Sequence, residues 1–201
     1  MTFAEIKNKL RRYTVGIAGA GGLGSNCAVA LARVGIGRLI IADFDVVNES
    51  NLNRQYFFRD QLGEKKVSAL KKNIERINPE VEIITHDLKL NETNLVPLYR
   101  DCDILVEAFD LSEMKQMLIE TSIQQFPDKP LIIGSGMAGW GRNNEIKCRK
   151  SENLYICGDE ISAVADQNPP LAPRVAMVAN MQANTVLQIL LNNKQDEDYI
   201  K

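Results

Sequence analysis

The sequence predicts an α/β fold with a doubly wound, mostly parallel sheet and an altered, antiparallel C-terminal part. Short apolar runs alternate with helical patterns along the first two thirds of the chain, which is typical of a parallel sheet covered by helices. The last third changes character, because residues 134–141 hold four glycines and short strands follow them. With 201 residues, 45% of them hydrophobic, the chain can bury a self-sufficient core. We therefore expect a single domain over residues 1–201.

The elements follow from the spacing of apolar residues and from the residues that stop each pattern. Phe3, Ile6 and Leu10 share one face of an N-terminal helix within residues 1–12. Asn78-Pro79 ends the central helix, because the residue before a proline disfavours helical backbone. Strands are expected at 14–18, 38–42, 81–85, 103–108, 131–134, 145–148 and 154–157, helices at 25–34, 64–77, 112–125 and 174–191, and a flexible, proline-containing loop at 158–173.

Composition and charge exclude several classes of protein. The net charge is −2, from 24 Lys and Arg against 26 Asp and Glu, so the protein has no overall positive electrostatic field that would attract DNA or RNA. No apolar run approaches the ~20 residues that span a bilayer, and the N-terminus lacks the apolar core of a secretory signal. The widely spaced cysteines lack the C-x-x-C pairs of zinc sites. We expect a cytoplasmic protein with free thiols, no structural zinc, and no nucleic-acid or membrane partner.

A glycine-rich turn provides the first candidate binding site. Gly19-Ala20-Gly21-Gly22-Leu23-Gly24 matches G-x-G-x-x-G between a strand and a helix, where backbone N–H groups and the helix dipole favour a phosphate. Asp43 follows the next strand, at the position where a carboxylate accepts ribose hydroxyls. This Rossmann-like unit fits NAD(P), FAD or ATP equally, and the alternative is a tight turn that serves only packing.

Three charged residues favour a nucleoside triphosphate over a dinucleotide. Arg54 and Lys66 could neutralise phosphates, and Asp110 follows the fourth strand with a carboxylate suited to Mg²⁺. The carboxyl ends of neighbouring strands converge in an open α/β sheet, so Asp43 and Asp110 can face one ligand. The alternative is that Arg54 and Lys66 are ordinary surface cations.

Taken together, the motifs resemble the ThiF and MoeB proteins of the ubiquitin-activating-enzyme superfamily. The resemblance extends from about residue 14 to residue 191, and the compact size without zinc cysteines is most similar to the short ThiF proteins. The most specific motif is the string from Ser50 to Gln55. The matching segments are Gly19–Gly24, Asp43-x-Asp45, Ser50-Asn51-Leu52-Asn53-Arg54-Gln55, Gly63-x-x-Lys66-Val67, Ile77-Asn78-Pro79, Asp110, Ala172-Pro173-Arg174-Val175-Ala176 and Gln182-Ala183.

The resemblance implies ATP-dependent adenylylation of the C-terminal glycine of a small ubiquitin-like sulfur carrier with a Gly-Gly tail, most of all in thiamine biosynthesis. It also implies a homodimer, with a sulfur-donor enzyme as a further partner. Arg54, Lys66 and Asp110 are then the catalytic residues, and Asp110 holds Mg²⁺. The residues implied to bind ATP are Gly19, Gly21, Gly22, Gly24, Asp43, Ser50, Asn51, Arg54, Gln55 and Lys66.

Several alternatives and departures remain. The same chemistry could serve a molybdopterin or other sulfur carrier, or a modified tRNA base, which the acidic residues 195–198 disfavour. An NAD(P)-binding oxidoreductase and a non-catalytic nucleotide-binding module are the other classes. Residues 134–141 form either a slot for a Gly-Gly tail or only a turn. Arg11 and Arg12 do not match the family's N-terminal arginine motif, Cys157 is expected to be structural, and His86 receives no role.

Overall fold

A computed structural model of the chain describes residues 1–192, which fold around one seven-stranded sheet with the strand order β3-β2-β1-β4-β5-β7-β6. All neighbouring strands are parallel except β6 and β7, which are antiparallel. This arrangement confirms the predicted α/β class and its antiparallel C-terminal part. The elements are α1 (Phe3–Leu10), β1 (Thr14–Ala18), α2 (Gly22–Val34), β2 (Arg38–Asp43), α3 (Lys66–Ile77), β3 (Glu82–Asp87), α4 (Glu92–Tyr99), β4 (Ile104–Glu107), α5 (Ser112–Gln125), β5 (Leu131–Gly134), β6 (Lys147–Ser151), β7 (Leu154–Gly158) and α6 (Ala172–Leu191).

Helices cover both faces of the sheet, and alternate residues of each central strand face opposite layers. In β2, Ile41 packs into the core beneath α2, α3 and α6, whereas Ile40 packs against α4 and α5. In β4, Val106 and Leu105 divide in the same way. Because both faces are buried, the central strands read as continuous apolar runs instead of alternating ones. That is why β1, β2, β4 and β5 were recognisable in the sequence.

Several element boundaries differ from the sequence prediction; the strand expected at 145–148, for example, is β6 at Lys147–Ser151. Helix α2 begins at Gly22, three residues before the predicted start, because its first turn contains the last glycines of the loop. Helix α4 occupies residues for which the sequence predicted no element, and Pro97 lies inside it. The helix forms nonetheless, because Asn91 caps it by accepting the N–H groups of Thr93 and Asn94, and Leu95 and Tyr99 are fully buried.

Within residues 1–192, no helix combines the length and apolar character that crossing a bilayer requires. Residues 195–198, on which the sequence argument against tRNA depends, lie outside the described part of the chain. In the order β3-β2-β1-β4, strands β2 and β3 are added on one side of β1, and β4 is added on the other side. The topological switch point therefore lies between β1 and β4. Ligands of open α/β sheets bind beyond the carboxyl ends of the strands at this switch point.

Candidate functional site

A cleft of about 740 Å³ opens beyond the carboxyl ends of β1, β2, β4 and β5. It brings together eight of the eleven residues that the sequence assigned to the site. We call the part lined by the glycine loop, Asp43 and Lys66 the nucleotide half, and the part lined by residues 134–137 and 162–164 the acceptor half. The predicted residues that line the cleft are Gly19, Gly21, Gly22, Asp43, Arg54, Gln55, Lys66 and Asp110.

The three remaining predicted residues, Gly24, Ser50 and Asn51, do not line the cleft and instead support its walls. A Cβ atom on Gly24 would lie 1.9 Å from the carbonyl oxygen of Gly19, so glycine is required there for α2 to pack on the loop. Ser50 accepts a hydrogen bond on its carbonyl oxygen from Arg54, at 3.0 Å. The Asn51 side chain accepts the N–H of Asn48 at 2.9 Å.

The glycine loop has the backbone geometry of an anion cradle. Gly19 adopts φ +102°, in the left-handed region that favours glycine, and a Cβ atom there would lie 2.8 Å from the carbonyl oxygen of Ala108. Gly21 is the N-cap of α2, so no side chain covers the positive end of the helix dipole. Gly19 and Ala20 donate their N–H groups to the carbonyl oxygen of Ala42 and the carboxylate of Asp43, whereas the N–H groups in the first turn of α2 have no intrahelical partners and can serve a ligand.

Asp43 is fixed at the end of β2 by two backbone donors. One carboxylate oxygen accepts the N–H of Ala20 at 2.7 Å, and the other accepts the N–H of Asp45 at 2.8 Å. Burial raises the pKa of Asp43, although these two hydrogen bonds and the charge of Lys66 act in the opposite direction. The hydrogen bond to Ala20 links the carboxylate directly to the glycine loop.

Lys66 is the first residue of α3, and its side chain is buried with only 7% exposure. Its ammonium group lies 2.7 Å from the carboxylate of Asp45, which is half-exposed. A buried lysine whose partner is partly hydrated can turn its charge toward an anion in the cleft. The sequence-based alternative, an ordinary surface cation, is therefore wrong for Lys66.

Helix α2 positions Arg54 and Gln55 from below. Asn26 donates to the carbonyl oxygen of Arg54 at 2.9 Å, and Ser25 accepts the N–H of Tyr56 at 3.0 Å. The Gln55 side chain is buried, and its Oε1 atom has no hydrogen-bond partner in residues 1–192. An unpartnered oxygen beside the glycine loop is available to a ligand or a water molecule.

Asp110 lies on the exposed loop between β4 and α5, and within the described residues its carboxylate has no hydrogen-bond or ion-pair partner. Its side-chain oxygens are therefore available to a ligand or metal ion in the cleft. Residues 1–192 contain no cluster of three His, Cys, Asp or Glu side chains that could hold a metal ion by themselves.

The acceptor half is formed by residues that are small or apolar. Gly134, Ser135, Gly136 and Met137 line one wall as the chain leaves β5, and residues 162–164 line another. Residues 134–137 of this segment line the cleft, and the interpretation of the segment as a slot for a Gly-Gly tail stays a prediction. Gly139 donates to the carbonyl oxygen of Pro169 at 2.9 Å, which holds this wall against the loop 158–173.

A buried ion pair that the sequence analysis missed anchors the loop 158–173. Arg174, 2% exposed at the start of α6, donates to Asp159 and, at 2.5 Å, to the carbonyl oxygen of Gly141. Burial raises the pKa of Asp159, but hydrogen bonds from Ser162 and Ile161 and the charge of Arg174 outweigh it and lower the pKa to about 2. The predicted flexibility of this loop stays a prediction.

A second missed pair, Glu107 with Lys115, lies beneath the acceptor half. Glu107 ends β4 and is fully buried, and Lys115 both contacts it and lines the cleft. The sequence signal was a glutamate inside the apolar run of β4, since a buried carboxylate requires a partner. The partner could not be identified from sequence because α5 carries several polar residues.

The remaining residues singled out in the sequence lie away from the cleft. Arg11 pairs with Glu80 at 2.6 Å on the surface. His86 lies in β3, in register with Ala42, and does not line the cleft. Cys157 is buried with its sulfur 3.7 Å from that of Cys148 on the neighbouring strand, which agrees with a structural position. All four cysteines are free thiols in the structure.

Two solved structures are similar in fold. The E. coli tRNA N6-threonylcarbamoyladenosine dehydratase TcdA, solved in complex with ATP, has a TM-score of 0.83 and 21% identity, with 92% of this chain and 88% of that chain covered. E. coli MccB, solved with ATP, has a TM-score of 0.70 and 23% identity, with 93% of this chain and 58% of that chain covered. At these identities the similarity establishes the fold alone.

Curated relatives are similar in sequence. The adenylyltransferase and sulfurtransferase MOCS3 of Anopheles gambiae is 35% identical over 200 residues, covering 92% of this chain and 43% of that protein. The probable adenylyltransferase/sulfurtransferase MoeZ of Mycobacterium tuberculosis is 32% identical over 130 residues, covering 64% and 33%. This chain thus spans less than half the length of these relatives. The model of the ThiF family matches residues 2–201, and the chain therefore belongs to the ThiF family.

Proposed function

We propose that this protein catalyses the ATP-dependent adenylylation of the C-terminal carboxylate of a small ubiquitin-like sulfur carrier, with release of pyrophosphate. Membership of the ThiF family and the names of the curated relatives support this proposal. The observation that carries it is a single cleft that joins the glycine loop, two cations and the free carboxylate of Asp110. An NAD(P) site requires neither those cations nor that carboxylate.

The reaction depends more on neutralising the negative charge of the phosphates than on proton transfer. A C-terminal carboxyl group has a pKa of about 3.5, so the nucleophile is already ionised at neutral pH and needs no general base. Its oxygen attacks the α-phosphorus of ATP, a new bond to phosphorus forms, and the bond to the pyrophosphate oxygen breaks. Arg54 and Lys66 neutralise the polyanion and align it for that attack.

The residues of the cleft fit a nucleotide with Mg²⁺. Magnesium in nucleotide sites takes one or two protein carboxylates together with phosphates and water, and Asp110 is such a carboxylate. When bound, the ion supplies positive charge to the phosphates. Gln55 Oε1, which lacks a partner, would accept a hydrogen bond from the ribose or from an ordered water, and Asp43 would accept ribose hydroxyls.

The acceptor half fits the thin end of a polypeptide. Small residues allow close approach of backbone, so a Gly-Gly tail can pass between residues 134–137 and 162–164. A protein acceptor is proposed over tRNA because the chain carries a net charge of −2. We propose a carrier of the thiamine pathway, on the resemblance of the sequence motifs to ThiF proteins; carriers of the molybdopterin and other pathways would use the same chemistry.

The homodimer, the sulfur-donor partner and the cytoplasmic location implied by the resemblance belong to the same proposal. The first is tested by the molar mass of the purified protein in solution. A mass of one chain at micromolar concentration would contradict the homodimer without affecting the chemistry.

The test is exchange of labelled pyrophosphate into ATP in the presence of Mg²⁺, with and without carriers that end in Gly-Gly. We expect exchange that depends on the carrier, with the thiamine-pathway carrier the most effective and tRNA ineffective. Exchange with only a different carrier would overturn the pathway and retain the chemistry. No exchange with any acceptor, together with binding of NAD in preference to ATP, would overturn the adenylylation.

A further inference from the structure

Glu107 and Lys115 form a buried charged junction between the two halves of the cleft. Glu107 has no exposed side-chain surface, and the ammonium group of Lys115 contacts its Oε2 atom. The same ammonium group donates to the carbonyl oxygen of Gly134 at 2.7 Å. Lys115 also lines the cleft, yet its contacts lie within the protein wall.

The Glu107 carboxylate holds the chain on both sides of the cleft. Its Oε1 atom accepts the N–H of Phe109 at 2.7 Å, directly before Asp110. Its Oε2 atom lies 3.4 Å from the N–H of Gly134, where the glycine-rich wall begins. One side chain thus fixes the peptide next to the carboxylate donor and the peptide that begins the acceptor half.

Helices α6 and α2 complete the junction. Gln182 is fully buried in α6 and donates to the carbonyl oxygen of Glu107 at 2.9 Å. A Cβ atom on Gly134 would lie 2.4 Å from the side chain of Leu23 in the glycine loop, so β5 ends in close contact with the nucleotide half. The junction therefore contacts the Asp110 loop, the glycine wall and, through Gly134, the start of α2.

We infer that Glu107 and Lys115 are positioning residues for adenylylation, which set the distance between the acceptor wall and Asp110. This inference rests on the proposed function. Attack on the α-phosphorus requires the reacting atoms to lie about 3–3.5 Å apart, and a misplacement of about 1 Å can reduce the rate on the order of 100-fold. Lys115 acts through Glu107 and Gly134 and does not need to contact the substrate.

Removal of the ammonium group from Lys115 tests the inference. In Lys115→Met we expect kcat for pyrophosphate exchange to fall about 100-fold, while KM for ATP changes less than about threefold, because the glycine loop and Asp43 remain in place. Lys115→Arg keeps a cation with several donors and should restore at least part of kcat. Unchanged kcat in a folded Lys115→Met variant would overturn the inference, as would a rise in KM for the carrier with kcat unchanged.

Lys129 provides a matched control. It is also a partly buried lysine that donates to two backbone carbonyls, those of Tyr99 and Arg100, but it does not line the cleft. Lys129→Met should leave kcat within about twofold of the unmodified protein. An equal loss of kcat in both variants would show that any lost lysine damages the enzyme, and would overturn the specific role.

A double variant covers the case in which Lys115→Met fails to fold, since an unpaired buried carboxylate is strongly destabilising. The double variant Glu107→Gln with Lys115→Met leaves no buried charge at the junction and should fold. Its kcat should be reduced to an extent similar to that of Lys115→Met. Wild-type kcat in the folded double variant would overturn the inference.

Amide hydrogen exchange separates this inference from the proposed function, because it needs no activity. In the Lys115 variant or the double variant, the amides of Phe109 and Gly134 should exchange at least about tenfold faster, while that of Gly19 is unchanged. Unchanged protection at both amides would overturn the junction. If these two amides exchange faster in the variants but the unmodified protein shows no pyrophosphate exchange with any acceptor, the junction is supported and the proposed function is overturned.

Discussion

The two halves of the cleft are assembled in different ways. The nucleotide half comes from one continuous stretch, residues 19–66, in which the glycine loop, α2 and β2 bring its residues to one side of the cleft. The acceptor half, residues 134–137 and 162–164, is held by two buried ion pairs from the surrounding segments, Glu107 with Lys115 and Asp159 with Arg174. Backbone geometry and backbone hydrogen bonds form most of the first half, whereas buried ion pairs hold the second half together.

The largest effect is expected where the two halves meet, at Asp110. Asp110→Ala removes the carboxylate that we propose as the magnesium ligand. Pyrophosphate exchange should therefore fall by about 1,000-fold or more, while the melting temperature is unchanged. Asp101→Ala is the control, because Asp101 is exposed just before the opposite end of β4. Activity of Asp110→Ala equal to that of the control would remove Asp110 from the metal role.

The next effect tests whether buried charge holds the acceptor half together. Arg174→Met leaves Asp159 buried without its cation, so the free energy of unfolding at neutral pH should fall by about 3–5 kcal/mol. Arg149→Met is the matched control, because Arg149 forms an exposed pair with Glu160 close by. Denaturant unfolding of both variants decides the question. Equal losses in the free energy of unfolding would mean that the buried Asp159–Arg174 pair stabilises the protein no more than the exposed pair does.

Arg54 should show the opposite pattern, with a loss of rate and little loss of stability. Arg54→Ala removes a cation that we propose acts on the phosphates in the transition state, and exchange should slow on the order of 100-fold. Arg59→Ala, on the same segment but outside the cleft, should retain its activity. If melting temperature and activity fall together in Arg54→Ala, the residue is a structural cation.

Sequence alone was sufficient for the nucleotide half and insufficient for the acceptor half. The glycine loop, Asp43 and Lys66 are separated by short, regular elements, so their convergence follows from the parallel strand order. Glu107 and Lys115 come together only because α5 packs back across β4 and β5, and the pairing of a buried charge cannot be identified from residue types. Helix α4 was missed for a local reason, since Pro97 disfavours a helix that tertiary burial nevertheless stabilises.

The Asp159 pair also predicts how stability depends on pH. The pKa of Asp159 in the folded protein is about 2, below the value of about 3.9 for an unperturbed aspartate. Its contribution is therefore present above pH 4 and is lost as the pH falls towards 2. Asp159→Asn should lose less stability than the unmodified protein over that interval in acid titrations followed by circular dichroism. Parallel curves would contradict the low pKa.

The smallest effect concerns two thiols that do not line the cleft, Cys27 and Cys148. Cys27 lies buried in α2, and burial raises its pKa to about 12, so it should resist alkylation. Cys148 is half-buried on β6, and a hydrogen bond from Cys157 lowers its pKa to about 6, so it should react first with iodoacetamide at neutral pH. Peptide mass spectrometry after timed alkylation measures both rates. Faster labelling of Cys27 would show that α2 opens more readily than the edge of the sheet.

The central claim, that this cleft activates a carboxylate, is tested most directly with two forms of one carrier protein. One form has its free C-terminal glycine carboxylate, and the other has the same terminus converted to an amide. We predict Mg²⁺-dependent exchange of pyrophosphate into ATP with the free carboxylate and none with the amide. Equal exchange with both forms, or exchange without any carrier, would contradict the claim.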